Sequence, residues 1–131
     1  MSLYLDSSAL VKRYVDEEGS AIVRRQMSKA GAWVVSQVTF VEVLRVLSQA
    51  SEAAMTARAE WPRFDVVAVS PPVCETAVAL AGRHRLRSLD AIQLASAATA
   101  GSTGLELATW DRRLHAAAAA EGFRVLPESL G

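Results

Sequence analysis

The chain predicts an α/β fold, with a central, mostly parallel sheet of about five strands flanked by helices. Three features of the sequence predict it. Short apolar or β-branched runs recur along the chain, each is followed by a longer segment with helical spacing, and Gly, Pro or Ser marks most of the joins. Strands that alternate with helices pair in parallel and are covered on both faces. At 131 residues the chain fits one domain spanning 1–131, long enough to bury roughly two thirds of the surface its unfolded form exposes.

The elements follow in order. Leu3 to Leu5 is a short apolar strand, and Ser8 to Val15 has helical spacing. Gly19 and Ser20 open a second helical stretch, Ala32 to Val35 is a strand, and helices follow over Val38 to Gln49 and Glu52 to Trp61, where Pro62 stops the run. Val66 to Val69 is β-branched and expected to be buried. Ser70, Pro71 and Pro72 form an N-terminal start for a helix reaching about His84. The segment LRSLDAIQLASA, Leu86 to Ala97, is the next helix, closed by Gly101 and Gly104. Leu105 to Ala108 is a fourth strand. Asp111 to Glu121, with its Ala run, is a helix closed by Gly122, and Phe123 to Leu126 is the last strand.

Composition narrows the function classes. Fourteen basic and fourteen acidic residues cancel, so any attraction to nucleic acid must be local. The densest basic group is Arg83, His84, Arg85 and Arg87. It reads either as a helix end with cations at its C-terminus or as a phosphate-binding group. Cys74 is the lone cysteine, which leaves no intrachain disulfide or cysteine-based zinc site and fits a reducing cytoplasm. It is expected to behave as a small buried hydrophobe. His84 and His115 are too few and too far apart for a metal pair, and no stretch has the unbroken apolar length of a membrane span or an export signal.

Ligands of an open parallel sheet gather beyond the carboxyl ends of its strands. Asp6 follows the first strand, Asp111 follows the fourth with Thr109 two residues before it, and Glu42 lies in the first turns after the second. Asp90 opens an otherwise apolar helix and joins them if its N-terminus points to that edge. Each acid alone has a structural reading: Asp6 and Asp111 as helix caps, Asp90 as a favourable charge at a helix start, Glu42 as a partner of Arg45. Together they would repel, by about 4 kcal/mol for a pair ~4 Å apart at an effective dielectric of ~20. Such a cluster calls for a cation, and all-oxygen ligation suits Mg2+ or Mn2+, which also bind phosphate oxygens.

Other α/β chemistries fit less well. A phosphoacceptor receiver domain needs an Asp after the third strand and a Lys near the last, whereas Ser70 and Pro71 stand there and no Lys lies beyond Lys29. A haloacid-dehalogenase-type phosphatase needs a second Asp at the position of Ser8, and no glycine-rich nucleotide loop is present.

The motifs YLDSSALVKRY, FVEVLR, LRSLDAIQLASA and ATWDRRL resemble, in order, spacing and context, the four acidic motifs of PIN-domain ribonucleases, especially VapC-type toxins. The resemblance spans almost the whole chain. It implies a small PIN-like α/β domain, an acidic pocket for Mg2+ or Mn2+, and endonucleolytic cleavage of RNA to a 5′-phosphate and a 3′-hydroxyl. By position, Asp6, Glu42, Asp90 and Asp111 become the catalytic and metal-binding quartet, with Ser8 and Thr109 as supporting hydroxyls. It further implies a cytoplasmic homodimer inhibited by a small VapB-like antitoxin. The rival from another class is a noncatalytic protein that keeps this fold and only binds a partner.

Four aromatic residues remain. Trp33 is expected to face the core, and Trp110, beside Asp111, either packs at a strand end or stacks an unpaired base. Trp61 and Phe64, with Met55, form either core or a surface for dimerisation or an antitoxin.

Overall fold

Parallel strands buried on both faces need helices on each side, and the computed structural model, which describes residues 1–101 and 103–131, has that arrangement. Strand β1 is Ser2–Leu5, followed by helices α1 (Ser7–Tyr14) and α2 (Ser20–Lys29). Strand β2 (Ala32–Ser36) leads to α3 (Gln37–Val46), a short 3-10 turn, and α4 (Ser51–Glu60). Then come β3 (Asp65–Val67), α5 (Pro71–His84), α6 (Ser88–Ala100), β4 (Leu105–Ala108), α7 (Arg112–Ala120) and β5 (Arg124–Leu126). The order across the sheet is β3-β2-β1-β4-β5, and every pairing is parallel.

Alternation along β1 divides the core. Leu3 and Leu5 point to the side covered by α1 to α4, where they meet Leu10, Val23, Val35, Val43 and Leu47. Tyr4 points the other way, toward Leu94, Leu107 and Leu114 under α5, α6 and α7. Burying a side chain such as Leu94, with 0% exposure, contributes about 1.5–3 kcal/mol over leaving it in water. Among the described residues every fully buried side-chain nitrogen or oxygen has a hydrogen-bond partner.

Helix starts follow their expected chemistry. Ser70 caps α5 with Pro71 and Pro72 at its first positions, where missing N–H groups cost nothing, and Ser36 caps α3 through the Val38 N–H.

Two expectations are corrected. The third strand ends at Val67 rather than Val69 and lies at the sheet edge, paired only with β2, so Val66 is 41% exposed rather than buried. Cys74 is exposed. On α5 the inward positions are Val73, Ala77 and Leu80, and Cys74 sits one residue, about 100° of helix, past that stripe. Trp33 is buried as expected, and its indole N–H donates to the Met27 carbonyl at 2.8 Å. Phe64 is buried, Trp61 is half-buried and Met55 is exposed.

Candidate functional site

The strand order reverses between β1 and β4, and an α/β sheet opens a crevice at such a point beyond the carboxyl ends of its strands. Asp6 leaves β1 and Thr109 leaves β4 at that crevice. Their chains are tied together there, the Asp6 N–H donating to the Ala108 carbonyl at 3.2 Å.

Asp6 is buried and fully engaged. One carboxylate oxygen accepts from the Ala9 N–H at 2.9 Å and from the Ser8 hydroxyl at 2.7 Å, and the other accepts from the Thr109 hydroxyl at 2.5 Å. The expected cap is thus real, and it fixes this carboxylate at the crevice. Burial pushes the Asp6 carboxyl up to about 6 against the pull of these hydrogen bonds, with Asp111 adding repulsion. Ser8 and Thr109 also shape the opposite wall: Ser8 accepts from the Trp110 N–H at 2.9 Å and Thr109 from the Asp111 N–H at 3.0 Å. Asp111 caps α7, accepting from the Leu114 N–H at 2.8 Å.

Glu42, half-buried on α3, does not pair with Arg45. Its Oε1 accepts from the Ser7 hydroxyl at 2.5 Å and from the Gln93 amide at 3.0 Å. Asp90 lies in the first turn of α6. Its carboxyl is raised by burial first, then by Asp111 and Glu42, and is partly relieved by Arg87 and Arg113. The four acids therefore act on one another in sequence, Asp6 with Asp111, Asp111 with Asp90, and Asp90 with Glu42. Among the described residues none of them makes an ion pair, and no three His, Cys, Asp or Glu side chains stand close enough together to clasp one metal ion.

Sequence reasoning missed the residues that hold Glu42. Gln93 is 2% exposed; its amide nitrogen donates to Glu42, to Thr39 at 2.9 Å and to Ser7 at 3.3 Å, while its oxygen accepts from the Tyr4 hydroxyl at 2.5 Å. The available signal was a polar residue one helical turn after Asp90 on an apolar helix, and the Ser beside Asp6. Trp110 is packed: its ring lies against Gly19, and the Lys12 ammonium sits 4.9 Å from its centroid. His84 and His115 lie in separate contacts, with Glu121 and the Pro127 carbonyl.

With this geometry established, the family is clear. The PIN domain matches residues 3–120, and the chain belongs to the PIN domain family, in its VapC group. It is 37% identical over 139 aligned positions to Ribonuclease VapC45 of Mycobacterium tuberculosis, covering 98% of this chain and 96% of that protein. It is 36% identical over 129 positions to Ribonuclease VapC46 of the same species, covering 98% of each. Among solved structures, a toxin–antitoxin complex from Klebsiella pneumoniae superposes with a TM-score of 0.75 at 21% identity, over 98% of both chains. Mycobacterium tuberculosis VapC20, a Sarcin-Ricin loop cleaving toxin, superposes with a TM-score of 0.72 at 19% identity, over 92% of this chain and 95% of the other. These two likenesses concern the fold.

Proposed function

We propose that this protein is a metal-dependent endoribonuclease that hydrolyses RNA phosphodiester bonds, the toxin of a toxin–antitoxin pair acting in the cytoplasm. The observation that carries this reading is the set of four carboxylates at one crevice, of which Asp6, Glu42 and Asp111 are held by neutral donors and none is matched by an ion pair among the described residues. The full-length likeness to proteins named Ribonuclease VapC supports it.

The donor set fits a hard cation, being all oxygen and strongly negative. Asp6, Glu42, Asp90 and Asp111, no three of which stand close enough to clasp one ion in this structure, would have to draw together to hold Mg2+ or Mn2+. When bound, such an ion supplies a Lewis acid for phosphoryl oxygens and acidifies a coordinated water.

The chain's own residues prepare the rest. Ser8, Thr109 and the Ala9 N–H hold both Asp6 oxygens, and Ser7 and Gln93 hold Glu42, so neither carboxylate has to be ordered when RNA arrives. The partners we assign are RNA, a VapB-like antitoxin and a second copy of the chain. Val41, Val46 and Met55, exposed on α3 and α4, support a protein-binding face there.

Calorimetric titration with Mn2+ tests the site without knowledge of the RNA target. Wild type should bind and Asp6→Asn should not; a folded wild type that takes up no Mn2+ overturns the metal reading in favour of a noncatalytic binding protein. Asp90→Asn should abolish RNA cleavage, and wild-type cleavage by that variant removes Asp90 from the machinery.

A further inference from the structure

Beside the acidic crevice, α5 and α7 enclose a cleft of about 380 Å3 lined by His84, Arg85, Arg113, Ala116 and Ala117. Arg85 and Arg113 are exposed and make no ion pair or hydrogen bond among the described residues, so their guanidinium donors are available. Glu121, which meets the cleft residue His84, is already shared by Arg83 at 2.7 Å and His84 at 2.6 Å. Ala116 and Ala117 present only methyl groups, which leaves room above them. Arg113 also joins the cleft to the acids, since it is one of the two cations acting on Asp90, the other being Arg87.

Both free arginines stand where local physics disfavours them. Arg85 ends α5 in the left-handed conformation, at φ 55° and ψ 44°, a position that glycine occupies at the least cost. Arg113 lies in the first turn of α7, where the helix dipole repels cations. Two independent local penalties that place the same group at one cleft mark a use beyond folding.

We infer that this cleft is a subsite for a backbone phosphate of single-stranded RNA, with Arg85 and Arg113 as its donors, leading the strand to Asp90. The inference rests on the nuclease reading for the identity of the strand. Guanidinium pairs suit phosphate because their planar donors match its oxygens. The subsite reads no base, so its contribution is the same for every RNA sequence.

The test is fluorescence anisotropy of a short labelled single-stranded RNA of mixed sequence, in EDTA so that nothing is cut. Arg85→Gln/Arg113→Gln is compared with a charge-matched control, Arg25→Gln/Arg124→Gln, on α2 and at the far end of β5. The cleft variant should lose affinity on the order of tenfold, and its slope of log affinity against log salt should shrink by about 0.7, the value for one phosphate contact on a single strand. The control should behave as wild type. Arg85→Gly should bind RNA more weakly while melting at a higher temperature, which separates ligand contact from fold. Equal losses in both double variants, or none in the cleft variant, overturn the subsite. Mn2+ uptake by wild type reports on the nuclease reading separately: loss of RNA binding in the cleft variant, in a protein that binds no Mn2+, sinks that reading and leaves the cleft standing.

Discussion

Asp6 combines a helix cap and a buried charge in one side chain, and its pH response follows from that. Its folded carboxyl titrates at about 6 against about 3.8 for a free one, so between those values the folded state binds more protons than the unfolded. As far as Asp6 is concerned, stability of the metal-free protein should therefore be greatest below pH 3.8 and fall by about 3 kcal/mol as pH rises from there through 6. Asp6→Asn keeps the oxygen that accepts from Ala9 and should flatten this decline in urea melts taken across that range. A variant with the wild-type slope would place the charge cost elsewhere. Gln93 is the other decisive residue. Gln93→Leu removes the acceptor of the Tyr4 hydroxyl and leaves the Glu42 carboxylate to Ser7 alone, and should cost about 1–3 kcal/mol, with weaker Mn2+ binding. An unchanged Mn2+ affinity in a folded Gln93→Leu protein would show that Gln93 serves the core alone. Asp6, Asp90 and Asp111 were legible as residues because each sits at a strand or helix end, and Glu42 because it lies in the helix directly after β2; Ser7, Thr39 and Gln93 were not, because their partners lie 35 to 89 positions away or appear only when α3 and α6 are brought together.

At the scale of elements, α7 connects the fold to the site. Its cap Asp111 is preceded by Trp110, whose ring is pressed against Gly19 at the start of α2. A methyl group on Gly19 would lie 2.7 Å from a ring carbon, and Gly19 has φ +92°. Gly19→Ala should cost roughly 1–3 kcal/mol from strain and crowding together, and displace Trp110 and so Asp111. Denaturant melts and tryptophan fluorescence check it, and a variant as stable as wild type with unshifted emission would rule out that linkage. Helices and strands were largely legible from spacing and breakers, since caps such as Ser70 with Pro71 act within a few residues. The burial of β3 was not. Whether a β-branched run lies at the centre or the edge of a sheet depends on which strands flank it, and its own residues carry no record of that.

For the whole molecule, the sheet order sets everything else. Reversal at β1 and β4 brings residue 6 beside residue 109, while α3 and α6 carry residues 42 and 90 to the same edge. On the proposed reading, four acids at one edge, in no ion pair among the described residues, would make the fold sensitive to cations. Mg2+ or Mn2+ at a hundredfold excess over its dissociation constant should add about 2.7 kcal/mol of stability, seen as a rise in melting temperature that Asp6→Asn abolishes. Saturating metal that leaves the wild-type melt unmoved would count against the acidic site.

Local spacing alone carries the alternation of strands and helices, the positions of Asp6 and Asp111 after strand ends, and the family. Only the tertiary structure decided that Asp6 is held by Thr109 across the switch point, that Glu42 is oriented by Ser7 and Gln93, that Trp110 packs against Gly19, and that two arginines from different helices face one cleft. The physical reason is that hydrogen bonding, burial and charge repulsion act through space. Their partners are chosen by the order in which strands pair, and that order is a property of the folded chain as a whole.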